Sequence, residues 1–287
     1  MGLSFKHRIF RLVVGGVERV LRALSKDFYF KAVGCLFEAL DLTYRIDTKN
    51  GPILLHCDSE TVHIRARTLL EREPETLAWI ETFAPGEVLW DIGANIGVFT
   101  LYAARVASAK VVAFDPLPFN HAGLVRNLTL NGLHDRVTAL CIALSDKTEI
   151  APLTVPSEAD TPGGAGGVFA GATDNYGEAI DAVYELRALG YSIDDLLEKF
   201  DVPFPNYLKM DIDGIQERVI AGARGTLRDR RLKSAMLELQ PAPQQTTLIL
   251  KEMEDAGFEL VETAKAVGGG SADIDTHVTN NFFTRKS

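Results

Sequence analysis

The chain has 287 residues, 46% of them hydrophobic and 24% charged, with a formal net charge of -9. That length and balance describe a soluble globular chain that buries a full core in one or two domains. The acidic balance argues against nucleic acid as a partner, and no apolar run is long enough to span a membrane. Cys35, Cys57 and Cys141 are odd in number and lack metal-type spacing, which points to structural thiols in a reducing, cytoplasmic setting.

Residues 5–24 place Phe5, Ile9, Leu12, Val13, Val17, Val20, Leu21 and Leu24 at helical spacing, with arginines in the gaps. Over residues 1–31, Lys6, Arg8, Arg11, Arg19, Arg22, Lys26 and Lys31 outnumber Glu18 and Asp27. Two readings stay open. One is a basic amphipathic helix lying peripherally on an anionic membrane or binding a partner; the other is an arm packed on the main domain or on a second subunit of a homo-oligomer. Gly15-Gly16 would weaken an isolated helix by roughly 1 kcal/mol per glycine relative to alanine. Short strands are expected within 43–66 around Asn50-Gly51-Pro52, and Pro74 between Glu73 and Glu75 fits a helix start.

From Val88 the pattern alternates. Strands are expected at 88–92, 110–115, 137–143, 206–211 and 234–239, with helices at 97–107, 119–131, 192–200, 214–227 and 243–256. Strands at 258–262 and 277–284, with no helix between them, read as an antiparallel hairpin at one edge. The fold expected is α/β: a doubly wound, Rossmann-like seven-stranded sheet with an antiparallel C-terminal hairpin and an N-terminal helical and β extension. The extension covers 1–67 and the main domain 68–287. A glycine-rich insertion at about 156–182 reads as a substrate lid.

In such sheets ligands sit beyond the carboxyl ends of the strands. The first strand ends in Asp91-Ile92-Gly93-Ala94-Asn95-Ile96-Gly97, where Gly93 permits a sharp turn and Asn95 tolerates a left-handed backbone. Such a turn is expected to aim backbone N–H groups into the crevice, with Asp91 supplying the opposite charge. The second strand ends in Asp115-Pro116, 18 residues past Gly97, where an acid can accept two hydroxyls of a ribose and the proline stiffens the turn. Asn95 stands where a pyrophosphate site wants glycine, which favours a smaller adenosine-containing ligand over NAD. The strand at 206–211 carries Lys209, Asp211 and then Asp213 in alternation, and the next ends near Glu238 and Gln240. These carboxylates and the amine could position a hydroxyl and accept its proton. Asp211, Asp213 and Glu238 are equally candidates for a divalent metal, and a structural Lys209–Asp211 ion pair with Asp213 capping the next helix stays open.

Several stretches together resemble the class I S-adenosylmethionine-dependent methyltransferases of the FkbM type. They are Glu73-Pro74-Glu75-Thr76, Trp90 to Gly97, Ala113-Phe114-Asp115-Pro116, Arg126-Asn127 with Asn131, Ala143-Leu144-Ser145-Asp146, Ser192 to Leu196, and Leu208 to Gly214 followed by Ala221-Gly222-Ala223. The resemblance implies S-adenosylmethionine as cofactor. Asp91, Gly93, Ala94, Asn95 and Gly97 would then surround its methionine part, Asp115 and Pro116 its ribose, and Ala143 its adenine. It implies O-methylation of a sugar hydroxyl in a glycan or of a natural-product intermediate, and the basic amphipathic start would suit a glycolipid acceptor. From their position opposite the cofactor turn, Asp211 or Asp213 is expected to take the acceptor's proton, with Lys209 orienting. Two positions depart from the family pattern: Asp115 replaces a glutamate, and Gln216 stands where an acid is usual. The rival readings are an NAD-linked oxidoreductase and a non-catalytic binding module on the same fold.

Overall fold

The computed structural model describes residues 5–171, 179–239, 243–265 and 278–286. The chain divides into two units, Met1–Leu42 and Thr43–Ser287. The first holds α1 (Phe5–Leu24) and α2 (Lys26–Ala39). α2 lies beyond the helix expected over 5–24. Ser25 starts it by accepting a hydrogen bond from Phe28 N at 3.0 Å, and Asp27 suits the positive end of its dipole.

The second unit opens with a hairpin, β1 (Thr43–Ile46) and β2 (Ile53–His56). The outer edge of β2 is not left open. Asn127 accepts from His56 N, and Asn131 both accepts from Leu54 N and donates to Leu54 O, at 2.7 to 2.9 Å. Strands expected as far as 66 stop at His56. Ser59 instead caps α3 (Glu60–Arg72), because Val62, Ala66 and Leu69 recur at helical rather than alternating spacing and are all buried. A short α4 (Pro74–Ile80) follows.

The main sheet then begins in its middle. It contains β3 (Val88–Ile92), β4 (Lys110–Phe114) and β5 (Val137–Leu140), joined by α5 (Val98–Val106) and α6 (Pro118–Asn131). The chain leaves this sheet for a second one of four strands: β6 (Ala143–Leu144), β7 (Glu149–Pro156), β8 (Val168–Phe169) and β9 (Ala182–Tyr191). The strand expected over 137–143 is thus divided between two sheets. Most of the glycine-rich insertion lies between β7 and β9, which pair antiparallel; residues 172–178, including Gly177, fall outside the described residues.

After α7 (Ile193–Lys199) the chain returns as β10 (Tyr207–Met210), on the other side of β3. Then come α8 (Gln216–Ala221), α9 (Arg224–Arg228), β11 (Ser234–Leu239), α10 (Pro243–Asp255), β12 (Phe258–Lys265) and β13 (Thr279–Arg285). The start of the last strand expected at His277 falls outside the described residues. The helix expected over 214–227 breaks at Gly222-Ala223. A Cβ on Gly222 would lie 2.1 Å from Ser145 O, and Asp194 caps the new helix by accepting from Gly225 N and Thr226 N.

The strand order is β12-β13-β11-β10-β3-β4-β5. Five strands run parallel, and β13 lies antiparallel between β11 and β12. This is the doubly wound seven-stranded sheet with its terminal hairpin at one edge. Strand alternation separates two cores: Val88, Trp90 and Ile92 face α7–α10 and the second sheet, and Leu89 faces α3–α6. Trp90 is fully buried, stands 5.0 Å from the Phe114 ring, and donates Nε1–H to Pro203 O at 2.8 Å. Trp90→Ala removes that packing and leaves a cavity, so urea unfolding should show a loss of about 3–5 kcal/mol; a loss under about 1 kcal/mol would show that the sheet does not rest on this residue.

Candidate active site

Between β3 and β10 the connections depart in opposite directions, and the strand ends leave a crevice there. A cavity of about 290 Å³ occupies it. Along the sheet edge its lining runs from Ile142, Ala143 and Leu144, past Asp115 and Pro116, to Gly93 and Asn95, then to Asp211 and Asp213, and ends at Glu238 and Val278. One end is therefore mostly apolar and the other acidic.

The glycine turn forms as expected, with φ of 81° at Gly93, 54° at Asn95 and 88° at Gly97. A Cβ on Gly93 would lie 1.9 Å from Asp211 O, so only glycine lets the two strand ends meet. The expectation that its backbone donors face the crevice is corrected. Gly93 N and Ala94 N both donate to Phe114 O at 2.9 Å, Asn95 N to Asp115 Oδ2 at 2.8 Å, Ile96 N to the Asn95 side chain, and Gly97 N to Ala94 O. Three of these N–H groups weld the turn to the end of β4, and the other two are spent within the turn.

Asp91 likewise faces inward and does not line the cavity, nor do Ala94, Gly97 or Lys209. Asp91 Oδ2 accepts from Thr100 Oγ1 at 2.6 Å, and its Oδ1 lies 3.4 Å from Lys209 Nζ. Lys209 is 1% exposed. Its ammonium lies 3.3 Å from Asp211 Oδ2 and 4.9 Å from the Phe99 ring centre. Burial works against this charge, yet Asp211, Asp91, Glu73 and Glu238 outweigh it and hold the ammonium above its usual range. Asp211, by contrast, keeps its side chain 35% exposed and borders the cavity.

Asp115 is buried and accepts from Asn95 N and Leu117 N. Burial pushes its carboxyl up to about 7 against the pull of those two amides. Glu238 is pushed well up by burial and by Asp211, Glu73 and Asp213. Glu73 is pushed up by burial and Asp211, while Thr76 and Asn280 hydrogen-bond to it at 3.1 and 3.0 Å. Gln216 stays out of the lining; it donates to Ile212 O at 2.8 Å and pins the turn that carries Asp213. Asp211, Asp213 and Glu238 all border the cavity, but among the described residues no three His, Cys, Asp or Glu side chains are disposed to hold a metal ion.

Two further walls complete the cavity, of which the sequence pointed only to the insertion as a lid and to none of its contacts. One is the face of α3 carrying Arg65, Thr68, Leu69 and Arg72, followed by Glu73. Its positions lie far from the strand ends in sequence; the one available signal was two arginines seven apart on an amphipathic helix. The other is the strap 163–167 in the insertion. Gly164 O accepts from Asn95 Nδ2 at 2.7 Å and Asn120 Nδ2 at 3.1 Å, Gly166 N donates to Asp213 at 2.8 Å, and Arg65 Nε donates to Gly163 O at 2.7 Å. The insertion therefore closes over the cavity on residues of four different elements.

Residues 91–260 match the model of the methyltransferase FkbM domain. Methyltransferase sdnD of Sordaria araneosa is 32% identical over 46% of this chain; the match spans 58% of that relative, less than two thirds of its length. Hexuronic acid methyltransferase AglP of Haloferax volcanii is 25% identical over 66% of this chain and 71% of its own. The 31-O-demethyl-FK506 methyltransferase FkbM of Streptomyces tacrolimicus is 27% identical over 63% of this chain and 76% of its own.

Glu73, Asp115 and Glu238 hold their protons more tightly in the folded chain than in the unfolded one, where carboxyls titrate near about 4. Their contribution to stability is fully present below the unfolded value and is lost as pH rises, for Asp115 over the window from about 4 to about 7. Asp115→Asn and Glu238→Gln should therefore gain in melting temperature relative to wild type between pH 5 and pH 8. The variant-minus-wild-type difference cancels the surface ion pairs, and a difference independent of pH would remove the assignment.

Proposed function

The chain belongs to the FkbM methyltransferase domain family, and from that premise we propose that it transfers a methyl group from S-adenosylmethionine to a hydroxyl oxygen of a sugar or natural-product intermediate. The observation that carries the reading is the continuous cavity at the sheet's switch point, apolar at Ala143 and acidic at Asp211. Its residues fit the cofactor. Ile142, Ala143 and Leu144 would flank the adenine, Asp115 the ribose, and Gly93 and Asn95 the methionine part. The named activities of AglP and FkbM support a sugar or natural-product acceptor. A pyrophosphate is poorly served: the turn's N–H groups are spent on Phe114 O, on Asp115 and within the turn, and the Asn95 side chain is bonded to the strap.

When bound, S-adenosylmethionine supplies a methyl carbon made electrophilic by its sulfonium. The chain's main contribution is then alignment, for which effective molarities reach about 10⁵ M or more. The strap excludes water and fixes one wall. Asp211, held by the buried Lys209 and open to the cavity, takes the proton of the acceptor hydroxyl. Glu238 and Asp213 hold the acceptor beside it.

A second reading concerns the first unit, and it rests on exposure. Phe10, Leu12, Val20, Leu24, Phe30 and Leu36 all present more than half of their surface to solvent, interleaved with basic residues. We infer that this unit meets an anionic lipid surface peripherally; no helix of the described residues is long and apolar enough to cross a membrane. Flotation with phosphatidylserine vesicles should be lost in high salt and in a Leu12→Asp, Val20→Asp variant; equal flotation of both proteins would remove the idea.

The chemical proposal is tested by calorimetry and turnover. S-adenosylhomocysteine should bind and NAD should not. With an acceptor found by screening uronic acids and neutral sugars, Asp211→Asn should lower kcat by about 10²- to 10⁴-fold while cofactor affinity stays within about threefold. Normal turnover by that variant would move the proton acceptor elsewhere.

A further inference from the structure

We propose that Arg65 and Arg72, two turns apart on one face of α3, form a carboxylate-binding site in the wall of the cavity. This rests on the methyltransferase reading and adds a recognition element to it. Arg65, Thr68, Leu69 and Arg72 stand at helical positions i, i+3, i+4 and i+7, and all four line the cavity. Arg72 Nε and Nη2 are buried and make no hydrogen bond among the described residues. Buried guanidinium donors left unpaired are costly, which makes them a place to look for a ligand. Arg65 gives Nε–H to Gly163 O at 2.7 Å and lines the same space.

The surrounding charges are largely committed. The Lys209 ammonium lies between Asp91 and Asp211. Asp115 accepts two backbone N–H groups, Asp213 accepts from Gly166, and Glu73 accepts from Thr76 and Asn280. Burial moves Glu73 and Glu238 toward their neutral forms, which weakens the repulsion that an incoming anion would meet. A planar guanidinium offers two parallel N–H donors at the spacing of a carboxylate's two oxygens, and a pair of such forks holds that group by shape as well as charge.

The reading offers two carboxylates: the amino-acid end of S-adenosylmethionine and the acid group of a uronic-acid acceptor. One experiment separates them. Calorimetry on wild type, Arg65→Ala, Arg72→Ala and the two Arg→Lys variants uses S-adenosylhomocysteine and its decarboxylated analogue. Ligand-observed NMR with S-adenosylhomocysteine present then compares glucuronate with glucose. If the cofactor's carboxylate is held, the alanine variants lose about tenfold or more for S-adenosylhomocysteine and nothing for the decarboxylated analogue. The lysine variants recover part of it. If the acceptor's is held, S-adenosylhomocysteine affinity is unchanged, while a glucuronate signal present in wild type, and absent for glucose, disappears in the variants.

Equal losses for both analogues would assign the arginines a structural role and overturn the proposal, as would unchanged binding of every carboxylate. In either case S-adenosylhomocysteine binding by wild type would leave the methyltransferase reading standing. Wild type that binds neither S-adenosylhomocysteine nor glucuronate would overturn both.

Discussion

One buried ammonium holds the centre of this molecule. Lys209 on β10 is in register with Asp91 on β3, so the parallel pairing of two strands sets a cation beside an anion where water is excluded. A second carboxylate, Asp211, follows two residues later on the same side of the strand. Removing one partner from such a buried pair costs about 3–5 kcal/mol, because the charge left behind is uncompensated. The three residues are therefore tied to one another, and the strand ends that carry them are tied as well. Gly93 completes the junction by letting the turn after β3 pass against the Asp211 backbone.

This arrangement divides labour between inside and outside. Asp91 works on the interior side, where Thr100 and Lys209 hold it, and Asp211 works on the cavity side. The glycine turn does the same: its N–H groups bind the end of β4 or the turn itself rather than a ligand, so it contributes shape instead of donors. The side-chain donors bordering the cavity include Arg65 and Arg72 on α3, and the strap tied to Asn95 and Asn120 forms a further wall. Asp211 and Asp213 at the cavity border favour a ligand with positive charge, as a sulfonium has, while burial moves Glu73 and Glu238 toward their neutral forms. Burial raises Asp115, and burial together with neighbouring carboxylates raises Glu73 and Glu238, which links the site's chemistry to the stability of the apo chain.

Several motif residues are structural in a way their spacing conceals. Ser192 caps α7, Asp194 caps α9, and Gly222 admits the Ser145 backbone at a distance no side chain would allow. Arg218 binds Asp146 and Glu149, which anchors the second sheet to α8. Asn127 and Asn131 seal the edge of β2. These residues join distant segments around the site rather than contribute chemistry to it.

The alternation of strands and helices through the main sheet, the turn at Gly93–Gly97 and the acids at the strand ends are legible in the sequence alone, whereas α2, α3 and the second sheet are not. Apolar periodicity and the conformations open to glycine and asparagine act over a few residues, and the rule that ligands sit at carboxyl ends needs only strand direction. What the tertiary structure decided is which way each group points and what it meets. Asp91 and Asp115 look alike as acids at strand ends, yet one is sealed against Lys209 and the other borders the cavity, because only packing determines the neighbours across a sheet. Arg65, Arg72, Glu73 and the strap 163–167 reach the site from far along the chain, and no local spacing encodes a contact between residues that far apart.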